Sequence, residues 1–363
     1  MDRAPDERSP GATDLQTGTR VRIVLNPESG SADHAGRVRA VADERGYEVV
    51  ETDSAADARR ATRGALDDGV DVLAPCGGDG TVNTVVGALA EADALDAVTL
   101  GVLPAGTANL FAGNLGVETL DDGFDALDAG RRRRIDVGRV RGAERRSARG
   151  RDAPDRLDGP DEDDAGTTDG AEASDRVDAP NDAGATDEGA VFVMSCVAGF
   201  PAAASGAAGS GLKARLGTLA FVVSAVSEAT AYEPHPVELS METPTGGRTW
   251  SGDALCLLVG NSRRFTGEGG QGDVEDGLLE VVVVESLAPL RALREAAVHR
   301  LFDRETGGVT RFDASAADVA FLDGPVSVSL DGELSTRESL SLSAVPAALP
   351  VLVGPDYDPD PAT

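Results

Sequence analysis

The sequence predicts an α/β domain built on a parallel sheet, followed by a mostly antiparallel β domain. Three observations predict it. Short apolar runs alternate with helical patterns through the early part of the chain, glycine-rich loops follow two of those runs, and later strand-like runs are separated by turn residues. At 363 residues the chain is long enough to build two cores.

Val21–Leu25 reads as a strand, Val38, Val41 and Ala42 recur at helical spacing, Tyr47–Glu51 reads as a second strand and Ala58–Leu66 as a second helix. Val70–Pro75, a glycine loop, a helix over Val82–Ala92, the run Val98–Leu103 and another glycine loop continue the βαβ alternation. Ile135–Arg141 is again strand-like. The stretch 142–189 is Asp, Ala, Gly, Pro and Arg with almost no large apolar residue, the composition of a disordered acidic insert. Its flanks, Ile135–Val140 and Val191–Val197, suit the two arms of a hairpin, which the insert lengthens at small cost because closure entropy grows only logarithmically. A helical pattern over Leu212–Ala229 follows, then strand-like Val237–Met241, Ala254–Val259, Leu278–Val284 and Val326–Leu330, interrupted by a helix over Leu290–Phe302. These later strands read as a separate antiparallel domain rather than more of the first sheet. The expected division is a disordered N-terminus 1–20, an α/β domain 21–134, a β-rich domain 135–345 carrying the insert 142–189, and a C-terminal tail 346–363, for which packing back on the first domain is one option.

With Asp plus Glu at 63 against Lys plus Arg at 33, the net charge of −30 excludes a nucleic-acid partner held through its phosphates. Lys213 is the sole lysine, and the acidic excess runs through both ends and the middle. Such a chain repels itself in dilute buffer, whereas at about 1 M salt the screening length falls to roughly 3 Å, so a salt-requiring, halophilic protein is expected. Cys76, Cys196 and Cys256 stand alone, without a CxxC or a His-rich neighbourhood, and read as buried small hydrophobes. The polar stretch Met1–Arg20 lacks the apolar core of a secretory signal. Leu216–Val226 is about half the length a bilayer span needs. A cytoplasmic protein without a transmembrane segment is expected.

Three loops carry the chemistry. Cys76-Gly77-Gly78-Asp79-Gly80-Thr81-Val82-Asn83 follows a strand and opens a helix, where backbone N–H groups and the positive helix end gather around an anion. Its glycines let a phosphate approach the backbone without a Cβ in the way, and Thr81 is positioned to cap the helix. A plain strand-to-helix turn does not call for Gly-Gly-Asp-Gly-Thr. Leu103-Pro104-Ala105-Gly106-Thr107-Ala108-Asn109 ends another strand and Asn26-Pro27-Glu28-Ser29-Gly30 ends the first, so all three belong at one edge of the sheet and frame a cleft. None is a Walker A loop, which needs Gly-Lys-Ser or Gly-Lys-Thr.

Asn-Pro-x-Ser-Gly, Gly-Gly-Asp-Gly-Thr-x-Asn and Gly-Thr-x-Asn, in this order, resemble the catalytic domain of diacylglycerol and sphingosine kinases, over about Val21–Leu352 apart from the insert. The resemblance implies an α/β nucleotide-binding domain with a β-sandwich second domain behind it and the cleft between them. Carried over position by position, it implies an ATP site formed by Asn26, Ser29, Gly30, Thr52, Gly77, Gly78, Asp79, Gly80, Thr81, Asn83, Gly106, Thr107 and Asn109. Asp331-Gly332-Glu333 resembles the family's Asp-Gly-Glu, whose glutamate is taken as general base on the lipid hydroxyl, so Glu333 is the implied base with Asp331 beside it. The segment ending Asp273-Val274-Glu275-Asp276-Gly277-Leu278 resembles one that holds a structural Mg²⁺, with Asp273, Asp276 and Leu278 as the implied ligands and Asp276 supplying the carboxylate. Alone, either acidic motif reads as a solvated turn; their order along the chain favours the family reading. The sequence departs from the family at Thr84, where Glu is common, Leu110, where Asp is common, Gly113, where Arg is frequent, and Pro201, where Asp is usual. The implied activity is transfer of the γ-phosphate of ATP, with Mg²⁺, to a hydroxyl of a diacylglycerol-like or long-chain lipid alcohol by an enzyme peripheral to the membrane. A homodimer is left open. NAD kinase, which shares Gly-Gly-Asp-Gly-Thr, and a catalytically inactive lipid- or nucleotide-binding module are the alternatives.

Overall fold

The computed structural model describes residues 18–30, 34–142, 189–199, 233–265, 270–285 and 308–361. The expected helices Leu212–Ala229 and Leu290–Phe302, the core of the insert and Pro201 lie outside the described residues.

The first strands form where apolar β-branched runs can be buried on both faces. Val21–Leu25 and Val72–Gly77 are buried along their whole length and pair in parallel, with Glu48–Glu51 on the far side of Val21–Leu25. The helices Ala55–Asp67 and Asp79–Glu91 pack on one face through Ala58, Val82, Val85, Val86 and Leu89. On the other face, Val38 and Ala42 of the helix His34–Arg45 meet Phe124 and Leu127 of the helix Leu120–Ala129. Leu120–Ala129 begins with a reciprocal capping box between Thr119 and Asp122 and ends on Gly130, whose φ of 63° closes it in the left-handed region.

The second half departs from the expected separate sheet. The strand Ser339–Leu352 pairs antiparallel with Ala316–Phe321 and Arg132–Arg141, then runs parallel to Thr99–Leu100, so one mixed sheet, of 11 strands among the described residues, crosses from the β half into the α/β half. A six-stranded sheet faces it, in the order Val309–Ala314, Leu279–Val284, Cys256–Gly260, Ser195–Gly199, Val326–Leu330 and Glu333–Arg337. The sandwich core lies between the two, with Leu239, Val319 and Leu342 from one sheet against Leu257, Val281 and Val328 from the other. Residues 346–352 are thus part of a strand that joins both halves, and Gly354 N–H donates to the Leu115 carbonyl of the first half.

The expected arm Val191–Val197 is two strands in different sheets. Ala190–Phe192 pairs with Gly138–Val140, whereas Ser195–Gly199 pairs in the six-stranded sheet. The change occurs where the Val193, Met194 and Ser195 N–H groups all donate to the Asp331 carboxylate at 2.7–3.0 Å, so that Val193 and Met194 belong to neither strand. The other arm holds as read, and the Val140–Ala190 pair brings the two ends of the insert side by side. Replacing residues 143–188 by a short turn is therefore expected to keep the fold and to raise unfolding free energy by up to roughly 2 kcal/mol, at about 0.6 kcal/mol per halving of the loop. Denaturant melts of both proteins in molar KCl check this.

Candidate active site

The three loops meet at the carboxyl edge of the parallel strands. Asn26 N–H donates to the Cys76 carbonyl and Ala105 N–H to the Gly77 carbonyl, stitching the first and third loops to the second. Thr52 N–H and its hydroxyl both reach the Leu25 carbonyl, bringing the end of the second strand to the same rim. The approach is too close for side chains. A Cβ on Gly106 would run into Gly78 Cα, one on Gly30 into the Ala105 carbonyl, and one on Gly77 into Thr81 with Ser29 Oγ at 3.0 Å. Gly30 also has a φ of 58°, which favours glycine on its own account. Because the obstacle at Gly106 is backbone, Gly106→Ala is expected to cost about 1–3 kcal/mol through overpacking, read as a lower melting temperature.

These bends enclose a cleft of about 380 Å³ lined by Asn26, Ser29, Gly30, Thr52, Gly78, Gly80, Thr81 and Gly106, together with Asp53, Ser54, Ala55, Ala58 and Thr84. Five of the residues named from sequence, Gly77, Asp79, Asn83, Thr107 and Asn109, are not on this lining. Asp79 instead accepts the Leu110 and Phe111 N–H groups at 3.2 and 3.0 Å, capping the helix Leu110–Asn114 and locking the second loop to the third. Asn109, at φ 50°, folds its amide back on Gly106, donating to its carbonyl and accepting its N–H. Thr107 is exposed, and Asn83 and Gly77 are buried. Thr81 does not cap: Gly78 is the N-cap of the helix Asp79–Glu91 and makes no side-chain cap bond, and Thr81 N–H turns back to the Gly78 carbonyl at 2.9 Å, so the Asp79 and Gly80 amides are those left for an anion. Thr84 turns its hydroxyl back to the Gly80 carbonyl at 2.8 Å, and the space around Gly113 is open.

The second half reaches this rim through two elements. Asp331 and Gly332, with φ of 46° and 101°, make the turn between Val326–Leu330 and Glu333–Arg337. Asp331 is anchored by the three amides of residues 193–195 and lies within electrostatic range of Asp79; burial, opposed by those amides and reinforced by Asp79, pushes it up to about 6. Glu333 is exposed and pairs with Leu330, which places it on the sheet face that Leu330 presents to the sandwich core. The other element is the turn Asn261–Ser262, whose carbonyl at Ser262 accepts Asn114 Nδ2 at 2.6 Å. Asn261 Nδ2 donates to the Asp136 and Val193 carbonyls, while Asn261 Oδ1 and Ser262 Oγ are buried without a hydrogen-bond partner among the described residues.

Asp276 sits apart from the glycine loops, on the segment that follows. Its carboxylate accepts Leu278 N–H at 2.8 Å, and burial first, then the negative charges of Asp273, Asp136 and Asp313, push it up to about 6. Asp136, which sequence reasoning missed, is buried and accepts Gly277 N–H at 2.6 Å and Ala347 N–H at 2.8 Å, tying this segment to the bulge in Ser339–Leu352. Among the described residues no three His, Cys, Asp or Glu side chains converge as metal ligands, so a cation here needs backbone carbonyls beside Asp276. A larger cavity of about 920 Å³ opens at the opposite, amino-terminal edge of the strands. Its lining sets Arg132–Arg134 beside Asp71, Asp96, Asp136 and Glu275, with Arg133 on Glu275 at 2.5–2.8 Å, so it is a salt-bridged seam away from the loops.

The comparisons agree with this architecture. Residues 20–140 match the diacylglycerol kinase catalytic domain and residues 194–353 the YegS C-terminal NAD kinase beta sandwich-like domain. The chain is 28% identical over 344 residues, 91% of its length and 94% of the relative's, to a probable lipid kinase YegS-like protein of Stenotrophomonas maltophilia. It is 39% identical over 130 residues, 34% of its length and 42% of the relative's, to a diacylglycerol kinase of Bacillus subtilis. A crystal structure of a diacylglycerol kinase from Bacillus anthracis superposes at a TM-score of 0.59 and 15% identity, covering 94% of this chain and 98% of that one, which shows the shared fold. With both halves matched in order and the catalytic and sandwich modules joined as described, the chain belongs to the diacylglycerol kinase-like family of lipid kinases.

Proposed function

We propose that the protein transfers the γ-phosphate of ATP to the hydroxyl of a lipid alcohol, with Glu333 as general base. The observation that carries this reading is the contact of three loops whose glycines admit no Cβ, leaving open helix amides around a cleft sized for a nucleotide's phosphates. The residues present suit such a chain of phosphates. Asn26, Ser29, Thr52 and Thr81 offer polar groups, while Asp79 and Asn109 act by holding the loops in place. In the transfer, the lipid oxygen bonds to the γ-phosphorus as the bond to the bridging oxygen breaks; ADP leaves, and the hydroxyl proton passes to Glu333. Positioning provides most of the acceleration, because the reaction needs little covalent help from the protein.

The oxygen donors around Asp276 fit a hard cation, since a carboxylate beside other acids and backbone carbonyls suits Mg²⁺ or Ca²⁺. Asp276 would hold such a cation, whose charge would offset the neighbouring Asp273, Asp136 and Asp313 and steady the segment 273–278. Added Mg²⁺ is then expected to raise the melting temperature at constant ionic strength, and Asp276→Asn to remove most of that rise. An equal rise in both proteins argues against the site.

Total lipid extract, labelled ATP, Mg²⁺ and molar KCl, with NAD tested in parallel, check the activity by mass of the phosphorylated product. A phosphorylated lipid is expected. Phosphorylation of NAD alone overturns the reading. ATP binding without any lipid product selects an inactive nucleotide-binding module, a reading favoured by the use of both Asp79 oxygens in capping.

A further inference from the structure

Among the described residues, the lining of the loop cleft contains no Lys or Arg, and its one charged residue is Asp53. Backbone dipoles alone would then face a polyphosphate in a chain of net charge −30. A cation is close by on the other half. Arg263 begins the short strand Arg263–Arg264, directly after the turn Asn261–Ser262. That turn is fastened to the C-terminal end of the helix Leu110–Asn114 by Asn114, while Asp79 caps the other end. The helix is five residues long, about 7.5 Å, and bridges the turn and the loop Cys76–Asn83. The Arg263 guanidinium lies within electrostatic range of Asp79 and forms no ion pair or side-chain hydrogen bond among the described residues. It rests over the ring of the buried Phe265, 5.7 Å from the centroid. Stacking fixes the plane of the guanidinium and leaves its N–H groups for a ligand. The neighbouring Arg264 is differently placed, 3.9 Å from Glu280, whose other oxygen accepts Phe265 N–H. Burial disfavours the charge of Arg263 and Asp79 favours it.

We propose that Arg263 binds the terminal phosphate of the nucleoside triphosphate, from the same side as Glu333, and stabilises it during transfer. Asp331, two residues before Glu333, is within electrostatic range of the same Asp79, so the arginine and the base approach the glycine loop from one half of the molecule. An arginine entering from the second half contacts the γ-phosphate and not the α- or β-phosphate, which lie over the loops. A planar fork of donors suits that group, and loss of such a donor costs about 10²–10³ in kcat.

The inference rests on the ATP reading, and nucleotide binding separates the two. Binding of ATP and ADP to the parent, Arg263→Ala and Arg263→Lys proteins is measured by calorimetry in molar KCl with Mg²⁺, alongside thermal melts and turnover. The expected result is at least tenfold weaker ATP binding by Arg263→Ala with ADP binding within about twofold, a fall in kcat of about 10²-fold, and partial recovery with Lys. If the Ala protein does not fold, the Lys protein carries the test through a reduced ATP-to-ADP preference. An unchanged preference, or equal loss of ATP and ADP, overturns the role of Arg263 and leaves the ATP reading standing. A parent that binds no ATP removes both.

Discussion

The Glu333→Gln protein is expected to lose turnover by a factor of about 10²–10⁴ while binding ATP within about twofold of the parent. Gln keeps the size and the hydrogen-bonding reach of Glu but cannot accept a proton, so the substitution removes the base and little else. The surroundings favour a clean result. Glu333 is exposed at the first position of its strand, and its placement derives from Asp331 and Gly332, which the substitution leaves untouched. The nucleotide cleft is built from residues 26–106 and none of its lining comes from this strand. Phosphorylated lipid, measured over time with saturating ATP and Mg²⁺, gives the comparison. A rate within tenfold of the parent eliminates Glu333 as the base and directs attention to another group on the second half.

What the sequence made legible was backbone chemistry. Gly30, Gly77, Gly78 and Gly106 are readable because only glycine tolerates the contacts they make, and their spacing after apolar strands places them at one edge of the sheet. The strand Val21–Leu25 and the hairpin arm at 135–141 were readable because composition and period agree there. Residues acting at long sequence separation were not. The sheet change at Val193–Ser195 depends on a carboxylate from Asp331, and no local signal at 193 announces it. Ser339–Leu352 alternates small polar and apolar residues at its start, yet Pro346 and Pro350 argue against a strand. The fold accommodates them with a register shift between Val345 and Leu349, where Ala347 takes a φ of 49°. Asp79 and Asn109 were legible as loop residues, but their direction was not: a side chain that caps a neighbouring helix and one that meets a ligand have the same sequence. Nothing local in the sequence distinguishes Arg263; its place follows from the turn before it, which Asn114 fastens through the Ser262 carbonyl.

Asp331 gives the second large effect, on stability as well as turnover. Its two oxygens accept three amides, Val193 at 2.7 Å on one and Met194 and Ser195 at 3.0 and 2.7 Å on the other, while its own N–H donates to the Ser195 carbonyl at 3.0 Å. Truncation to Ala leaves three amides without acceptors at a part-buried crossover and puts a Cβ residue with no polar side chain at a φ of 46°. Each orphaned amide costs about 1–3 kcal/mol and the left-handed backbone about 1–2 kcal/mol more. Allowing for water reaching some of them, Asp331→Ala is expected to lose about 3–5 kcal/mol, and the turn carrying Glu333 is expected to lose its position, so turnover falls with it. Asp331→Asn is the control. Asn tolerates the left-handed region, and its carbonyl keeps two of the donors, but its NH₂ confronts the third amide. It also removes a negative charge that burial and Asp79 both oppose. Its stability should therefore lie between parent and Ala, with turnover closer to the parent than stability alone suggests. Denaturant unfolding of the three proteins orders them. If Ala and parent unfold together, the amides at 193–195 find water as readily as Asp331, and the crossover is set by packing of Phe192 and Cys196 on either side of it.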